Sequence, residues 1–345
     1  MDSADINFMK RALELAELGR GYVSPNPMVG CVIVYENKII GEGYHKRFGE
    51  AHAEVHALAS VENQALIHES TAYVTLEPCA HHGRTPPCAD LLVERGIKRV
   101  VIASSDPFVK VNGKGIQKLM DANIRVEMDV LRDEGDELNS RFMTFHEKNR
   151  PFVILKWAQT SDGFIARENF DSKWISNEKS RQLVHKWRSE EDAILVGTNT
   201  AIHDNPSLTV REWEGRNPTR ILLDSNLEVD QDTNLFNREA STLIFNTSLE
   251  KEEGLNKWVK IEDITAKSIL RKLHEQNIQS IIVEGGTQTL NSFIEEDCWD
   301  EARIFTASEK FGSGISAPKI EGKLIGEETF SGDILKTYRN KWQKT

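Results

Sequence analysis

An α/β architecture in two domains is predicted by three observations in the sequence. Short apolar runs rich in Val and Ile alternate with amphipathic segments through residues 28–145, the pattern of helices layered on a sheet. The polar stretch HEKNR then meets Pro151 and the fully apolar run PFVILKWA, which sets a boundary near 147–151. Beyond it the alternation resumes and closes on a strand, a glycine turn and a helix over residues 278–294. The expected domains are residues 1–147 and 151–345, in keeping with about 150 residues per domain.

The first domain opens with a helix over 5–19, where Phe8, Met9, Ala12, Leu15 and Ala16 recur at helical spacing and Gly19 ends the pattern. SPNPMVG, at 24–30, holds two prolines and is a loop. It delivers Asn26 to a strand over 28–35, which Glu36-Asn37-Lys38 turns into a partner strand over 38–44. A loop carries His45 towards His52, and a short helix covers 53–60. Further strands are expected at 71–76, 97–104 and 124–128. Helices are expected from Cys88 to about Gly96, over 115–122, and as one continuous element from about Val130 to Phe145.

The chemistry concentrates between residues 49 and 88. His52, Cys79 and Cys88 are metal-ligating types, and Glu54 lies two residues after the histidine. An H-x-E followed by P-C and a further cysteine is the sequence form of a zinc-activated water with a glutamate to move its protons. Structural zinc usually takes four protein ligands, so three leave a position for water. His56, one turn on, offers a fourth ligand or is simply packed or solvated. Cys79 is expected at a turn after a strand and Cys88 at the opening of a helix, and cysteines at or near helix N-termini favour the thiolate. The pattern implies hydrolytic deamination of a nucleobase-like ring. Eight residues separate the two cysteines, not the two of the broad nucleobase-deaminase pattern. Cys31, in MVGCVIVY, and Cys298, beside Trp299, read as packing residues.

Charge and composition narrow the partners. A net charge of −11 argues against a nucleic-acid footprint, which needs clustered Lys and Arg. No apolar run approaches the roughly 20 residues of a membrane helix. The N-terminal helix lacks an apolar signal core, so a cytoplasmic location is expected, and there spaced Cys with His is more often metal-binding than disulfide-bonded. The substrate is expected to be a small molecule.

In the second domain, a strand over 152–158 carries Lys156 inside an otherwise apolar run, and a turn follows at Asp162-Gly163. A helix is expected over 177–189 and a strand over 193–196, with a break at Asp204-Asn205-Pro206. Strands are expected at 219–223, 242–245 and 258–261, and a helix over 266–276. The unit IIVEGGTQTL, near 281–290, places glycines at a strand-to-helix turn. There, backbone N–H groups can approach a phosphate, although an ordinary tight turn has the same sequence. No G-x-G-x-x-G is present, which disfavours the fold read from that fingerprint. The C-terminal FSGDILKTYRNKWQKT has strand character and no readable chemistry.

EPCAHHGRTPPC, with SPNPMVG and HAEVHAL, closely resembles the deaminase half of the bifunctional riboflavin-biosynthesis deaminase/reductase family, which shares the long insert between the cysteines. LKWAQTSDGFIA, WIS, the DNP–LTVR stretch and VEGGTQTLNSF resemble the reductase half. The resemblance implies a cytidine-deaminase-like three-layer α/β/α domain and a dihydrofolate-reductase-like α/β domain. For the first it implies one zinc and a pyrimidinone substrate carrying a phosphoribosylamino group, in a pocket lined by Asn26, His45, His81 and Arg84. For the second it implies NADPH reducing the opened ribose to a ribityl chain. Ala158, Trp174, Thr200, Asp204, Ser225 and the run Gly286, Thr287, Gln288, Thr289, Leu290, Asn291 and Ser292 would touch the cofactor. Ser172, Arg188, Leu208, Arg211 and Glu284 would touch the substrate, with the two arginines as phosphate clamps. Lys156 and Asp204 are the candidate proton donors. The family also suggests a homo-oligomer, a dimer or larger.

Two rival readings are a zinc deaminase of free bases or a tRNA adenosine with a scaffolding second half, and a zinc-stabilised binding module without turnover. NADPH oxidation separates the first from the bifunctional reading, and ammonia release separates the second.

Overall fold

The computed structural model describes residues 3–81, 86–108, 111–172 and 175–341. The chain forms two compact units, Met1–Lys148 and Asn149–Thr345.

The first unit is built on a five-stranded sheet among the described residues, with the order β2-β1-β3-β4-β5. Its strands are β1 (Gly30–Tyr35), β2 (Lys38–Tyr44), β3 (Thr71–Leu76), β4 (Arg99–Ser104) and β5 (Arg125–Glu127). β1 runs antiparallel to β2 and β3, while β3, β4 and β5 are parallel. The central strands β1, β3 and β4 bury both faces, which explains their near-continuous apolar character, while β2 and β5 at the sheet edges are partly exposed. One face packs on α1 (Ser3–Glu17) through Met9, Ala12 and Leu15 against Val32, Tyr73 and Val101. The other packs on α2 (Ala53–Ala59), α3 (Cys88–Glu94) and α4 (Lys114–Asp121) through Ala57, Leu92 and Leu119 against Cys31, Ile33 and Val74. This is the expected three-layer α/β/α arrangement. α2 lies close on β2 because Gly43 has no side chain: a Cβ there would stand 2.3 Å from the Ala57 backbone nitrogen. That approach sets the helix carrying His52 and Glu54.

One element departs from expectation. The single helix over 130–145 is two, α5 (Arg132–Leu138) and α6 (Ser140–Lys148), broken at Asn139. The buried Asn139 amide accepts from the Met28 N–H at 2.8 Å and donates to the Met28 carbonyl at 2.9 Å, pinning the loop that carries Asn26. Periodicity does not reveal such a long-range clamp. Asn139→Ala leaves both Met28 groups unpaired at about 1–3 kcal/mol each. The expected result is a lower melting temperature and a raised KM for ammonia release. Unchanged values of both would refute the clamp.

The second unit holds a ten-stranded sheet among the described residues, in the order β11 (Lys251–Glu253), β12 (Asn256–Lys260), β10 (Thr242–Asn246), β9 (Thr219–Leu223), β8 (Ala193–Gly197), β13 (Ser280–Glu284), β6 (Phe152–Gln159), β14 (Glu301–Thr306), β17 (Asp333–Asn340) and β16 (Gly322–Phe330). The strands that matter for the site are β6 (Phe152–Gln159), β8 (Ala193–Gly197), β9 (Thr219–Leu223) and β13 (Ser280–Glu284), joined in parallel. Alternate β6 residues feed two cores. Val153, Leu155 and Trp157 pack with α9 (Ala266–Glu275) and α10 (Thr287–Glu295), and Phe152 and Ile154 with α7 (Glu178–Glu190). Helices thus cover both faces. A short helix, α8 (Thr198–Asp204), follows β8 where sequence reading placed only a break at 204–206. β14 (Glu301–Thr306) also escaped that reading. The C-terminal strand character resolves into a hairpin of β16 (Gly322–Phe330) and β17 (Asp333–Asn340).

Candidate functional site

In the first unit, the parallel strand β3 ends beside the N-termini of α2 and α3. His52 is the residue before α2, Cys79 lies just past β3, and Cys88 is the first residue of α3. His52 Nδ1 stands 3.6 Å from Cys79 Sγ and 3.3 Å from Cys88 Sγ, and the three ligand atoms all lie within 4.8 Å of one another. A tetrahedral zinc with bonds of about 2.1 Å to nitrogen and about 2.3 Å to sulfur separates those atoms by about 3.6 Å. The donor set therefore fits zinc. His56 is not in that group among the described residues. The Cys79 thiol is pulled well below its ordinary range, first by the hydrogen bond from Cys88 and then by His52, while the same pairing and burial push Cys88 up.

Glu54, in the first turn of α2, is buried, and its Oε2 has no hydrogen-bond partner among the described residues. Burial, then the Cys79 charge, raises its carboxyl above the ordinary value. Beside it, His45 Nδ1 lies 3.0 Å from the Ala51 carbonyl, which can only accept, so this nitrogen carries the proton. Nε2 then accepts from Asn26 Nδ2 at 3.0 Å. Burial lowers the His45 pKa and keeps this neutral form. His81 packs edge-on against Phe108 with ring centroids 5.8 Å apart, and its Nδ1 is buried without a partner among the described residues. Arg84 lies outside the described residues.

In the second unit, a cavity of about 610 Å³ opens over the strand ends, within the usual range for small-molecule sites. Ala158, Ser172, Thr200, Asp204, Leu208, Arg188, Arg211, Glu284, Gly286, Thr287 and Gln288 line it, as does Lys156. Glu284 faces Lys156 across the β13–β6 register at 3.7 Å and accepts from Arg188 Nη2 at 2.9 Å. Burial would raise the Glu284 pKa, but the Arg188 and Lys156 charges win and bring it down to about 2. Burial lowers the Lys156 pKa, with Glu284 opposing. Ser172 Oγ donates to Asp204 at 3.1 Å, and the Gly286 N–H donates to Thr200 Oγ1 at 3.1 Å.

Five of the expected cofactor residues do not line this cavity. Ser225 turns its carbonyl to Thr247, and it does not line the cavity. The Leu290 side chain is fully buried in the sheet core, outside the cavity lining. Asn291 and Ser292 also lie outside the lining. Thr289 lies outside it as well, packed where Gly197 leaves room. Trp174 lies outside the described residues. Sequence reasoning missed His185, which lines the cavity one turn before Arg188 and accepts from the Arg211 N–H at 3.3 Å. Its i, i+3 spacing to Arg188 on a helix was the available signal. Burial, then Arg188 and Arg211, lowers its pKa to about 4, so at neutral pH it is uncharged opposite Glu212.

Comparison with known families gives the class. Residues 2–104 match the cytidine and deoxycytidylate deaminase zinc-binding region, and residues 151–336 match the RibD C-terminal domain. The chain thus joins a zinc deaminase domain to a reductase domain. It is 45% identical over 331 residues to the riboflavin biosynthesis protein RibD of Aquifex aeolicus, covering 94% of this chain and 92% of that one. The RibD of Escherichia coli is 36% identical over 329 residues, covering 90% and 89%. The crystal structure of a diaminohydroxyphosphoribosylaminopyrimidine deaminase/5-amino-6-(5-phosphoribosylamino)uracil reductase from Thermotoga maritima is similar throughout. It has a TM-score of 0.90 at 39% identity, covering 98% and 99% of the two chains. The chain belongs to the RibD family: it is a bifunctional enzyme of riboflavin biosynthesis, with a zinc-dependent deaminase domain and an NADPH-dependent reductase domain.

Proposed function

We propose that the first unit deaminates 2,5-diamino-6-(5-phosphoribosylamino)pyrimidin-4(3H)-one and that the second reduces the product to 5-amino-6-(5-phosphoribitylamino)uracil. The observation that carries the first half is the buried Glu54 oxygen, without a partner among the described residues, beside a three-ligand set with zinc spacing. Zinc, when bound, supplies a Lewis acid that lets water lose a proton near neutral pH. Glu54 takes that proton as the water oxygen bonds to the amino-bearing ring carbon. It then returns the proton to the nitrogen as the C–N bond breaks and ammonia leaves. The raised carboxyl pKa suits a group that must both accept and donate. Asn26 and His45, fixed by their mutual bond, orient the ring, with His81 and Arg84 at the substrate's edge.

In the second unit, NADPH supplies the hydride, and the chain's residues orient it. The N-terminus of α10, at Gly286, Thr287 and Gln288, with Ala158, Thr200 and Asp204, would hold the cofactor. Arg188 and Arg211 bind the substrate phosphate, a match for guanidinium geometry. Ser172, Leu208 and Glu284 complete the substrate side, and Lys156 or Asp204 gives the accompanying proton. A dimer or larger assembly is the expected working form. Purified chain is expected to bind about one zinc and to release ammonia from the diamino compound. Zinc-loaded chain that binds the compound without releasing ammonia would make the first unit a binding module.

A further inference from the structure

The buried carboxylate of Glu77 has no place in the chemistry above, yet it is the most heavily bonded side-chain acceptor beside the zinc ligands. It lies at the end of β3, two residues before Cys79. Its Oε1 accepts from the N–H groups of Gly115 at 3.0 Å and Ile116 at 3.3 Å, and its Oε2 from Gly113 at 3.0 Å and Asp106 at 3.4 Å. These donors span the loop from the end of β4 into α4. The first turn of α4 also packs closely on the zinc-binding turn. A Cβ on Gly115 would stand 1.9 Å from the Pro78 carbonyl oxygen, so only glycine allows the approach. The loop also carries Phe108, whose N–H is capped by Asp106 at 2.8 Å and whose ring backs His81. One carboxylate therefore lies behind both the Cys79 turn and the Phe108–His81 wall.

We infer that Glu77 is a positioning residue for the deaminase half: by gathering four N–H groups it fixes the turn bearing Cys79 and the wall bearing His81 as one unit. Glutamine keeps the shape but replaces an acceptor oxygen with an amide that must face donors. Removing acceptors from a buried, charge-assisted set costs more than losing neutral bonds.

The inference rests on the zinc-deaminase reading, which ammonia release by the unaltered chain tests separately. The experiment compares the full-length chain with Glu77→Gln and, independently, Gly115→Ala, which pushes on the same contact without altering charge. Zinc release to a chromophoric chelator, kcat and KM for ammonia release, and NADPH oxidation by the same chain are measured. NADPH oxidation reports only the other unit; stoichiometric zinc content before chelation and a measurable kcat for ammonia release report that the first unit has folded. The expected result is zinc release accelerated at least about tenfold, the range for groups that support metal ligands, with KM raised and NADPH oxidation retained. If Glu77→Gln fails to fold, the same pattern in Gly115→Ala supports the inference. Normal zinc release and normal KM in either folded variant would overturn it, even with a lowered melting temperature, because Glu77 would then be a fold residue only.

Discussion

Glu54→Gln is expected to lower ammonia release by about 10²–10⁴-fold, the usual contribution of a placed general acid–base group. The substitution keeps the side chain's shape, so zinc content should be unchanged. Among the described residues Glu54 Oε2 has no hydrogen-bond partner that the variant would lose. NADPH oxidation with the deaminated compound should also be unaffected, since that chemistry belongs to the other unit. A fall of less than tenfold with zinc bound would remove Glu54 from the proton transfers and return the assignment to another group beside the metal ligands.

Arg188→Ala is expected to have the largest effect in the reductase half, through two separable routes. With Arg188 on the substrate phosphate as proposed, the lost charge-assisted contact of about 1.5–3 kcal/mol is expected to raise KM by about 10- to 100-fold. The same change strips Glu284 of its closest cation and leaves a buried carboxylate with Lys156 at 3.7 Å. Breaking a buried pair from one side costs about 3–5 kcal/mol. The pH dependence follows from the Glu284 pKa, which is lowered on folding from 4.5 to about 2. A group depressed in this way contributes its stability above 4.5 and loses it as pH falls towards about 2. Denaturant unfolding of wild type and variant should therefore differ most at neutral pH and converge as the pH drops through that window. A gap that stays constant with pH would place the stabilisation in Arg188 packing, not in its charge.

Much of this molecule was legible in its sequence because its signals are local. The central strands bury both faces and so read as apolar runs, and the zinc ligands sit at chain positions that turns and helix starts announce. His52 and Glu54, two apart at a helix N-terminus, already implied one group for metal and one for chemistry. What escaped depended on distance along the chain. Asn139 broke a helix because of a partner 111 residues away. Glu77 gathers donors from 29 to 39 residues downstream. Leu290 stood inside a motif expected to touch cofactor, but its helix turns that position into the sheet core. A motif fixes which segment meets a ligand; helical phase decides which of its side chains do.

In the proposed function one chain carries out two consecutive steps on one molecule. The direct test supplies purified, zinc-loaded chain with the diamino phosphoribosyl pyrimidinone and NADPH, and follows ammonia and NADPH together. The predicted result is about one ammonia per NADPH oxidised, with ammonia appearing first. Chelation of zinc should stop both, and adding the deaminated compound should restore NADPH oxidation alone. Ammonia release with no NADPH oxidation, even when the deaminated compound is added, would contradict the account and leave the second unit without its assigned reaction.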